Sequence, residues 1–354
     1  MNTIGHSIRN LLILMSALLF SVHSMAICTT ANQYTVQVPL QEATFSVGED
    51  FPVGSNIRVQ RVQGFNTVTV HCTKPMAVVK MSLFGGSLYP GFKDIYQTGI
   101  KGLGVRFYNP FENKYYPFKT SYLLGEVNPG GWLAFAIELV KVGPITAGAV
   151  NTSLFPQVRI EAVDADNNPT RVAWHTITGS FMLQTPTCTT PNFNWDLGIT
   201  NTTQLKNQWD ASAWVDTPVT LTGCSAFWGN NSNKSYTQYN ITGYNSGDAS
   251  QSGSIAPNKL TMRLTSNTSV IDSANGILAL DNTSTASGFG VQVASKQSGI
   301  YIAQNLSDSI VVAPVVGNRS GTVIFPLGAR IIRTSNTVKG GSVSASLTYT
   351  INYQ

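Results

Sequence analysis

The stretch GSVSASLTYTINYQ (341–354) ends the chain with a regular alternation of apolar and polar side chains. The apolar positions are Val343, Ala345, Leu347, Tyr349, Ile351 and Tyr353, and serine, threonine or asparagine stands between them. A period of two is typical of a β-strand with one face on a core. The pattern predicts a strand from Ser342 to Tyr353. By itself, it fits either the last strand of a closed sandwich or the edge strand of an open one.

Similar alternation recurs along the whole chain. It is found in YTVQVPL (34–40), NIRVQRV (56–62), NTVTVHC (66–72), FPQVRIEAV (155–163), KLTMRLT (259–265) and GFGVQVA (288–294). Turn-forming clusters separate these segments, and no helical period is sustained. Short strands at intervals of about ten residues are typical of β-sandwiches. The sequence therefore predicts an all-β protein.

The first 26 residues have the layout of a secretory signal. A single cation, Arg9, precedes an apolar run, and the small residues Ser24 and Ala26 follow it. Cleavage after Ala26 would start the mature chain at Ile27, so we expect an exported protein. The net charge of +5 is small, and the Lys and Arg residues form no cluster. Nucleic acid is therefore not an expected partner.

Four cysteines divide between the two halves of the chain. Cys28 and Cys72 lie in the first half, and Cys188 and Cys224 lie in the second. An oxidising compartment favours disulfides, and two independently folding domains favour one disulfide within each half. Zinc is the competing interpretation, but the close spacing of zinc-binding cysteines is missing. The Thr- and Pro-rich segment LQTPTCTTP (183–191) is the expected linker. The predicted division is a signal peptide (1–26), an N-terminal domain (27–185) and a C-terminal domain (186–354).

The second half resembles a pilin domain of chaperone-usher fimbriae from Gram-negative bacteria. The resemblance is carried by Cys188 with Cys224, by GILALDNTSTASGFGVQV (276–293), by FPLGARI (325–331), and by the terminal stretch with Tyr353 next to last. It implies an immunoglobulin-like sandwich that lacks its last strand. A groove is then left open along the core, edged by the six apolar positions of the terminal stretch.

The same resemblance implies a set of partners. A periplasmic chaperone would first fill the groove, and the adjacent fimbrial subunit would then supply a donor strand at the outer-membrane usher. The carboxylate of Gln354 would meet basic residues of the chaperone.

The first half resembles, less closely, the receptor-binding domain of two-domain fimbrial tip adhesins. The similar segments are IYQTGIKGLGVRFYN (95–109) and AFAIELVKVGPITAGAV (134–150). The mannose-specific members begin with Phe where this chain has Ile27, so mannose specificity is not carried over. A mature chain that begins at Ile27 leaves no room for a donor strand before Cys28, which favours a place at the fimbrial tip. We expect a cell-surface adhesin with a lectin-like first domain for a surface glycan. The alternatives are a structural or adaptor subunit and an adhesin for a protein receptor.

The aromatic segment FYNPFENKYYPFK (107–119) is the first candidate for the glycan site, because aromatic faces pack on sugar rings while amides and carboxylates bond their hydroxyls. Two further loops, NPGGW (128–132) and DADNNP (164–169), compete with it. The candidate ligand-binding residues are Tyr108, Asn109, Glu112, Asn113, Tyr115, Tyr116, Trp132, Asp166 and Asn168. The alternative is that the aromatic residues fill the core and that NPFEN (109–113) and DADNNP are ordinary turns.

The sequence offers no pattern typical of catalysis or metal binding. The chain has no GxSxG, HExxH or P-loop motif. Only His71 and His175 follow the predicted signal, and the acidic loop 164–169 lacks the EF-hand spacing. We therefore expect no enzyme activity, no cofactor and no metal site.

Overall fold

The computed structural model describes residues 28–41, 44–64, 68–73, 78–121, 126–127, 133–229, 237–251, 255–314 and 321–354. The predicted signal peptide and Ile27 lie outside these ranges. The described residues form strands and two short 3-10 helices, Thr152–Leu154 and Thr202–Gln204. The predicted all-β class is thus confirmed. No helix in the described part of the chain has the length and apolar character needed to cross a membrane.

The first half of the chain forms strands β1 to β16. Their bounds are Cys28–Thr30, Tyr34–Pro39, Thr44–Ser46, Asn56–Gln63, Val70–Cys72, Val78–Phe84, Tyr96–Gln97, Leu103–Asn109, Lys114–Tyr115, Phe118–Ser121, Glu126–Val127, Phe135–Lys141, Gly148–Asn151, Gln157–Val163, Pro169–Thr178 and Ser180–Gln184.

The second half forms strands β17 to β29. Their bounds are Val215–Asp216, Val219–Thr222, Thr237–Ile241, Gly247–Gln251, Leu260–Ser266, Val270–Asp272, Ile277–Ala279, Phe289–Gln297, Ile300–Ala303, Ile310–Val312, Thr322–Phe325, Leu327–Arg333 and Leu347–Tyr353.

Two larger sheets enclose the core of the first half, which we call the N-terminal sandwich. One sheet has the order β10-β6-β14-β15-β2, and the other has the order β20-β19-β4-β12-β8-β7 with β9 paired to β8. Alternate residues of each strand face inward, as β14 illustrates: Val158, Ile160 and Ala162 are fully buried, whereas Arg159 and Glu161 are not. The inward residues of both sheets belong to one continuous hydrophobic cluster.

The seven-stranded sheet contains a hairpin from the second half of the chain. Strands β19 and β20 pair with each other, and β19 pairs in parallel with β4, so that Tyr239 lies opposite Val62. Tyr239 and Ile241 are buried in the core cluster of the N-terminal sandwich. The hairpin therefore completes a sheet that the sequence assigned to the first half alone.

The rest of the second half forms the C-terminal sandwich. One sheet has the order β17-β28-β24-β23-β22 with β25 added on β24, and the facing layer consists of β26-β21-β29 and the pair β18-β27. The core divides into two clusters, one around Phe325 and Met262 and a smaller one around Phe289 and Ile331. The predicted domain boundary near Pro186 stays a prediction. The hairpin of β19 and β20 follows this boundary in the chain but belongs to a sheet of the N-terminal sandwich.

Each sandwich contains one disulfide. Cys28 is bonded to Cys72, and Cys188 is bonded to Cys224, which is the predicted pairing. The first bond joins β1 to β5, which are antiparallel neighbours, and Cys28 lies directly opposite Cys72 in their pairing. The second joins the start of the C-terminal sandwich to the segment after β18.

Candidate functional site

The last strand, β29, lies at the edge of its sheet. In the part of the chain that is described, β29 pairs only with β21, from Leu260 opposite Tyr353 to Ser266 opposite Leu347. Lys259 and Gln354 exchange two backbone hydrogen bonds of 2.8 Å just beyond the strand. Bonded and non-bonded pairs alternate along an antiparallel ladder. The odd-numbered residues of β29 therefore direct their N–H and C=O groups away from β21, to the open side.

A cavity of about 1500 Å³ runs along this open edge. Its floor comes from alternate residues of β24 and β28, namely Phe289, Val291, Val293, Leu327, Ala329 and Ile331. These side chains bridge the two core clusters of the C-terminal sandwich. The floor is therefore an apolar surface that belongs to the core but remains open from one side.

The segment 191–200 forms the other wall and contains no strand. Phe193 stacks on Trp195 with 5.2 Å between ring centroids, and its ring lies 6.3 Å from that of Tyr349. Two tyrosines of β29 hold this wall: the Tyr349 hydroxyl donates to the Pro191 carbonyl at 2.5 Å, and Cys188 donates its backbone N–H to the Tyr353 hydroxyl at 3.2 Å. The cavity therefore lies between β29 and the segment 191–200, over an apolar floor.

The six predicted edge residues all line this cavity and are half-buried. The predicted strand from Ser342 to Tyr353 is longer than the observed one, which begins at Leu347. The preceding residues bond elsewhere: Asp281 and Thr285 donate their backbone N–H groups to the carbonyls of Ser344 and Ser342. Val343 and Ala345 consequently lie on the wall of the groove and outside the β21–β29 ladder.

One end of the open edge is occupied by the N-terminal sandwich. Asp50 donates its backbone N–H to the Tyr353 carbonyl at 3.1 Å, and its carboxylate accepts the Tyr353 N–H at 2.9 Å. Lys141 holds the loop that carries Asp50 by donating to the carbonyls of Gly48 and Glu49. Within the described part of the chain, the edge groups of Leu347, Tyr349 and Ile351 therefore remain open along β29.

A second candidate site lies on the outer face of the seven-stranded sheet. Tyr108 on β8 and Tyr115 on β9 are cross-strand neighbours whose ring centroids lie 5.2 Å apart. The Tyr108 hydroxyl donates to the Asn113 side chain in the turn between them. Tyr115 is 38% exposed. The structure thus brings three of the predicted ligand-binding residues into one surface patch, which we call the Tyr108–Tyr115 patch.

Two charged residues that sequence reasoning missed support this patch. The Arg106 guanidinium lies 4.4 Å from the centroid of the Tyr115 ring and donates through Nε to Glu138 at 2.7 Å. Arg106 also donates to the Asn56 side chain at 3.2 Å. Burial, and next the Glu138 carboxylate, raise the pKa of the Tyr115 phenol. The sequence could have indicated Arg106, because Arg106 and Tyr108 are alternate residues of one strand and therefore lie on the same face of the sheet.

Two of the predicted ligand-binding residues are buried and cannot reach a ligand at the surface. Asn109 is fully buried, donates to the Ala134 carbonyl at 3.1 Å, and accepts from the backbone N–H groups of Phe111 and Glu112 at 2.9 Å. Tyr116 is also fully buried, within the core cluster. Both predictions are corrected, because Asn109 organises the turn and Tyr116 fills the core.

The remaining candidates are separate from the Tyr108–Tyr115 patch or lie at its margin. Glu112 forms an ion pair with Lys114 at 3.6 Å. Asp166 and Asn168 belong to the turn between β14 and β15, where the buried carboxylate of Asp164 accepts both of their backbone N–H groups at 2.8–2.9 Å. This is the turn chemistry weighed as the alternative for this loop. Trp132 lies outside the described residues.

Metal ligands are not gathered in the described part of the chain. No three His, Cys, Asp or Glu side chains there are placed so that they could hold a metal ion. His175 is fully buried and stacks on Phe135 with 5.5 Å between ring centroids. Burial, and next the positive charge of Arg171, lower its pKa to about 4. His175 is therefore a neutral core residue at physiological pH.

One family model matches part of the N-terminal sandwich. Residues 40–167 match the family model of the MrkD-like receptor binding domain. No curated protein sequence matches the chain.

Among solved structures, similar chains include the CupB6 tip adhesin from Pseudomonas aeruginosa, with 14% identity and a TM-score of 0.36 over 93% of this chain and 95% of that one. The receptor binding domain of the adhesin MrkD1P of Klebsiella pneumoniae has 17% identity and a TM-score of 0.33 over 47% of this chain and 99% of that one. These TM-scores are low, so the superpositions by themselves carry no functional conclusion.

Proposed function

We propose that the chain is the tip adhesin of a chaperone-usher fimbria, exported through the periplasm to the cell surface, because residues 40–167 of its N-terminal sandwich match the family model of the MrkD-like receptor binding domain. Its N-terminal sandwich binds a surface glycan, and its C-terminal sandwich anchors it by accepting a donor strand. The chaperone, the usher and the adjacent subunit are the partners that this role requires.

The observation that carries the anchoring role is the open edge of β29 above an apolar groove. An extended peptide in the groove would bond the free N–H and C=O groups of Leu347, Tyr349 and Ile351, and its alternate side chains would cover the floor. Without such a strand, an unpaired edge beside an open apolar groove is an aggregation hazard. The geometry thus supports a role for this edge in strand addition.

A fused donor strand tests this role. We expect the mature chain, produced without its chaperone, to aggregate or be degraded. Attaching the N-terminal extension of the adjacent subunit through a glycine-rich linker after Gln354 should yield a soluble monomer. Each apolar side chain buried in the groove contributes about 1.5–3 kcal/mol, so several of them should raise the melting temperature markedly.

The matched control is the same fusion with serine at the alternate apolar positions of the donor strand. A chain without any donor strand that is monomeric and melts at the same temperature as the fusion would refute the proposal.

The glycan-binding role is supported by the Tyr108–Tyr115 patch. A half-exposed tyrosine held by Arg106 offers a fixed aromatic face, and the exposed Asn113 places a hydrogen-bonding group beside it. Such a combination of rigid ring and polar groups is suited to a sugar ring with its hydroxyls. The patch also lies at the Asn109 end of β8, away from the Leu103 end, where Lys141 and the loop of Asp50 join the C-terminal sandwich.

A glycan array probed with the donor-strand fusion tests this second role. We expect binding to a defined set of glycans and a loss of at least about tenfold in Tyr115→Ala, because the aromatic platform is removed. Tyr89→Ala is the control, since Tyr89 packs on Phe92 in a different loop. Firm adhesion to a purified host protein, together with no signal on the array, would refute glycan binding and indicate a protein receptor.

A further inference from the structure

The outward face of the five-stranded sheet carries a ladder of alternating aromatic and guanidinium groups. The Arg159 guanidinium carbon lies 3.4 Å from the centroid of the Phe84 ring and 4.2 Å from that of the Trp174 ring. The Arg171 guanidinium carbon lies 4.1 Å from the Trp174 ring on the same strand. We call these four residues the Arg–Trp ladder. It crosses strands β6, β14 and β15.

A β-bulge explains why the ladder forms. Ile160 pairs with Ala173, and the next residue, Glu161, pairs with Arg171, so that one extra residue of β15 stands between them. That residue, Val172, is buried beside Ala173. Arg171 and Trp174 are three residues apart and would face opposite sides of a regular strand, but the bulge turns both of them outward.

Positive charge dominates this face. Lys80, Lys119, Arg159 and Arg171 share it by register, and Glu161 is its one carboxylate among the described strand residues. Glu161 pairs with Lys80 at 3.6 Å, and neither arginine forms an ion pair with an acidic residue among the described residues. The face is therefore complementary to an anionic ligand.

Both guanidinium groups are held rigidly while part of their donor capacity stays unused. Arg159 donates Nε to Gln157 at 2.8 Å, and Arg171 donates to the Thr35 hydroxyl. The Arg171 Nε and the Trp174 Nε1 are buried and have no hydrogen-bond partner among the described residues. A stacked guanidinium keeps its donors in its own plane, which suits carboxylate and sulfate groups.

We propose that the Arg–Trp ladder is a binding site for an anionic polysaccharide, a chain that bears sulfate or carboxylate groups at regular intervals. The face is a sheet surface on which cations stand on neighbouring strands, about 4.8 Å apart per strand. An extended polyanion can lie across such strands and meet several cations in turn. Phe84, which is 58% exposed, adds an apolar platform at the end of the ladder for the sugar ring. The site is separate from the Tyr108–Tyr115 patch and goes beyond the proposed function.

The test uses the mature chain in its donor-strand-fused form, with dextran sulfate as the probe and uncharged dextran as the reference. We expect binding to dextran sulfate that weakens with rising salt, and no binding to dextran. Arg159→Gln with Arg171→Gln should weaken binding by about tenfold or more. The double Lys variant should recover only part of the affinity, since Lys keeps the charge without the planar fork.

The matched control removes the same charge elsewhere. Lys206→Gln with Arg263→Gln changes two exposed cations of the C-terminal sandwich and should leave binding within about twofold of the wild type. Equal weakening in both double variants would overturn the proposal, because attraction to net charge would then explain the binding. Ladder-dependent binding of polyglutamate without binding of dextran sulfate would also overturn it, in favour of an acidic protein.

Two further readouts keep the outcomes distinct. Melting temperatures of all variants identify any loss that comes from unfolding. Tyr115→Ala should leave dextran sulfate binding unchanged. The glycan array tests the Tyr108–Tyr115 patch and dextran sulfate tests the Arg–Trp ladder, so either proposal can fail without the other. Retention of full dextran sulfate affinity by a folded Arg159→Gln, Arg171→Gln variant would refute the ladder as a site.

Discussion

The hairpin of β19 and β20 leads to a prediction that the sequence alone does not suggest: a substitution at Ile241, in the second half of the chain, should destabilise the N-terminal sandwich. Ile241 is fully buried and belongs to the same core cluster as Val62 and Ile137. Ile241→Ala removes buried methyl groups and leaves a cavity, which costs about 2–5 kcal/mol at a fully buried site.

The expected size of the effect can be carried through to a measurement. A cost of about 3 kcal/mol corresponds to a fall of roughly 6–12 °C in melting temperature for a domain of 150–250 residues. Scanning calorimetry of the donor-strand-fused chain should show this fall in the transition of the N-terminal sandwich. Hydrogen exchange should locate it, with faster exchange in peptides from β4, which pairs with the hairpin, and from β12 on the far side of β4.

The control is Ile324→Ala, because Ile324 is 53% exposed on β27 and such surface changes stay within about 0.5 kcal/mol. If Ile241→Ala shifts only the transition of the C-terminal sandwich and leaves exchange in β4 unchanged, the hairpin does not complete the N-terminal sheet. The same reasoning predicts that a fragment ending at residue 185 exposes the edge of β4 and is less stable than the fused chain.

Two further predictions concern single residues. The His175 imidazole has a pKa of about 4 in the folded chain, compared with 6.5 for an ordinary histidine. Between these pH values the unfolded chain binds a proton at His175 that the folded chain does not bind. The stability that is present above pH 6.5 is therefore lost as the pH falls toward 4. Between pH 7.5 and pH 5 this loss of stability should be about 2 kcal/mol. Denaturant unfolding of His175→Leu should therefore show a weaker dependence of stability on pH than the wild type. An unchanged pH dependence would contradict the low pKa of His175. Asp50→Ala should speed amide exchange at Tyr353 by about fivefold, because one hydrogen bond worth about 1 kcal/mol is lost, whereas Glu49→Ala should not; equal exchange in both variants would exclude the junction contact.

Much of the fold was accessible from local pattern. Alternation predicted the all-β class, and the halves in which the cysteines lie predicted the disulfides Cys28–Cys72 and Cys188–Cys224. The resemblance of the first half to adhesin receptor-binding domains is confirmed by the family match over residues 40–167. These features depend on side-chain period and residue type along a short stretch, which a sequence displays directly.

The candidate sites were less accessible, because their geometry depends on register between distant strands. Asn109 and Tyr116 looked like ligand residues by type, and only the packing shows that they face inward. Arg106 and Glu138 meet because β8 and β12 pair, although they are far apart in the chain.

The sequence by itself determined that this chain folds as β-sandwiches with an alternating terminal strand, since the burial of one strand face requires that period. The tertiary structure alone decided what lies beside each strand. It places the hairpin of β19 on β4, brings Asp50 to the end of β29, and turns Arg171 and Trp174 to one face through a bulge at Val172. Pairing register and bulges arise from the free energy of the whole packed sheet, and a single strand's sequence does not contain that information.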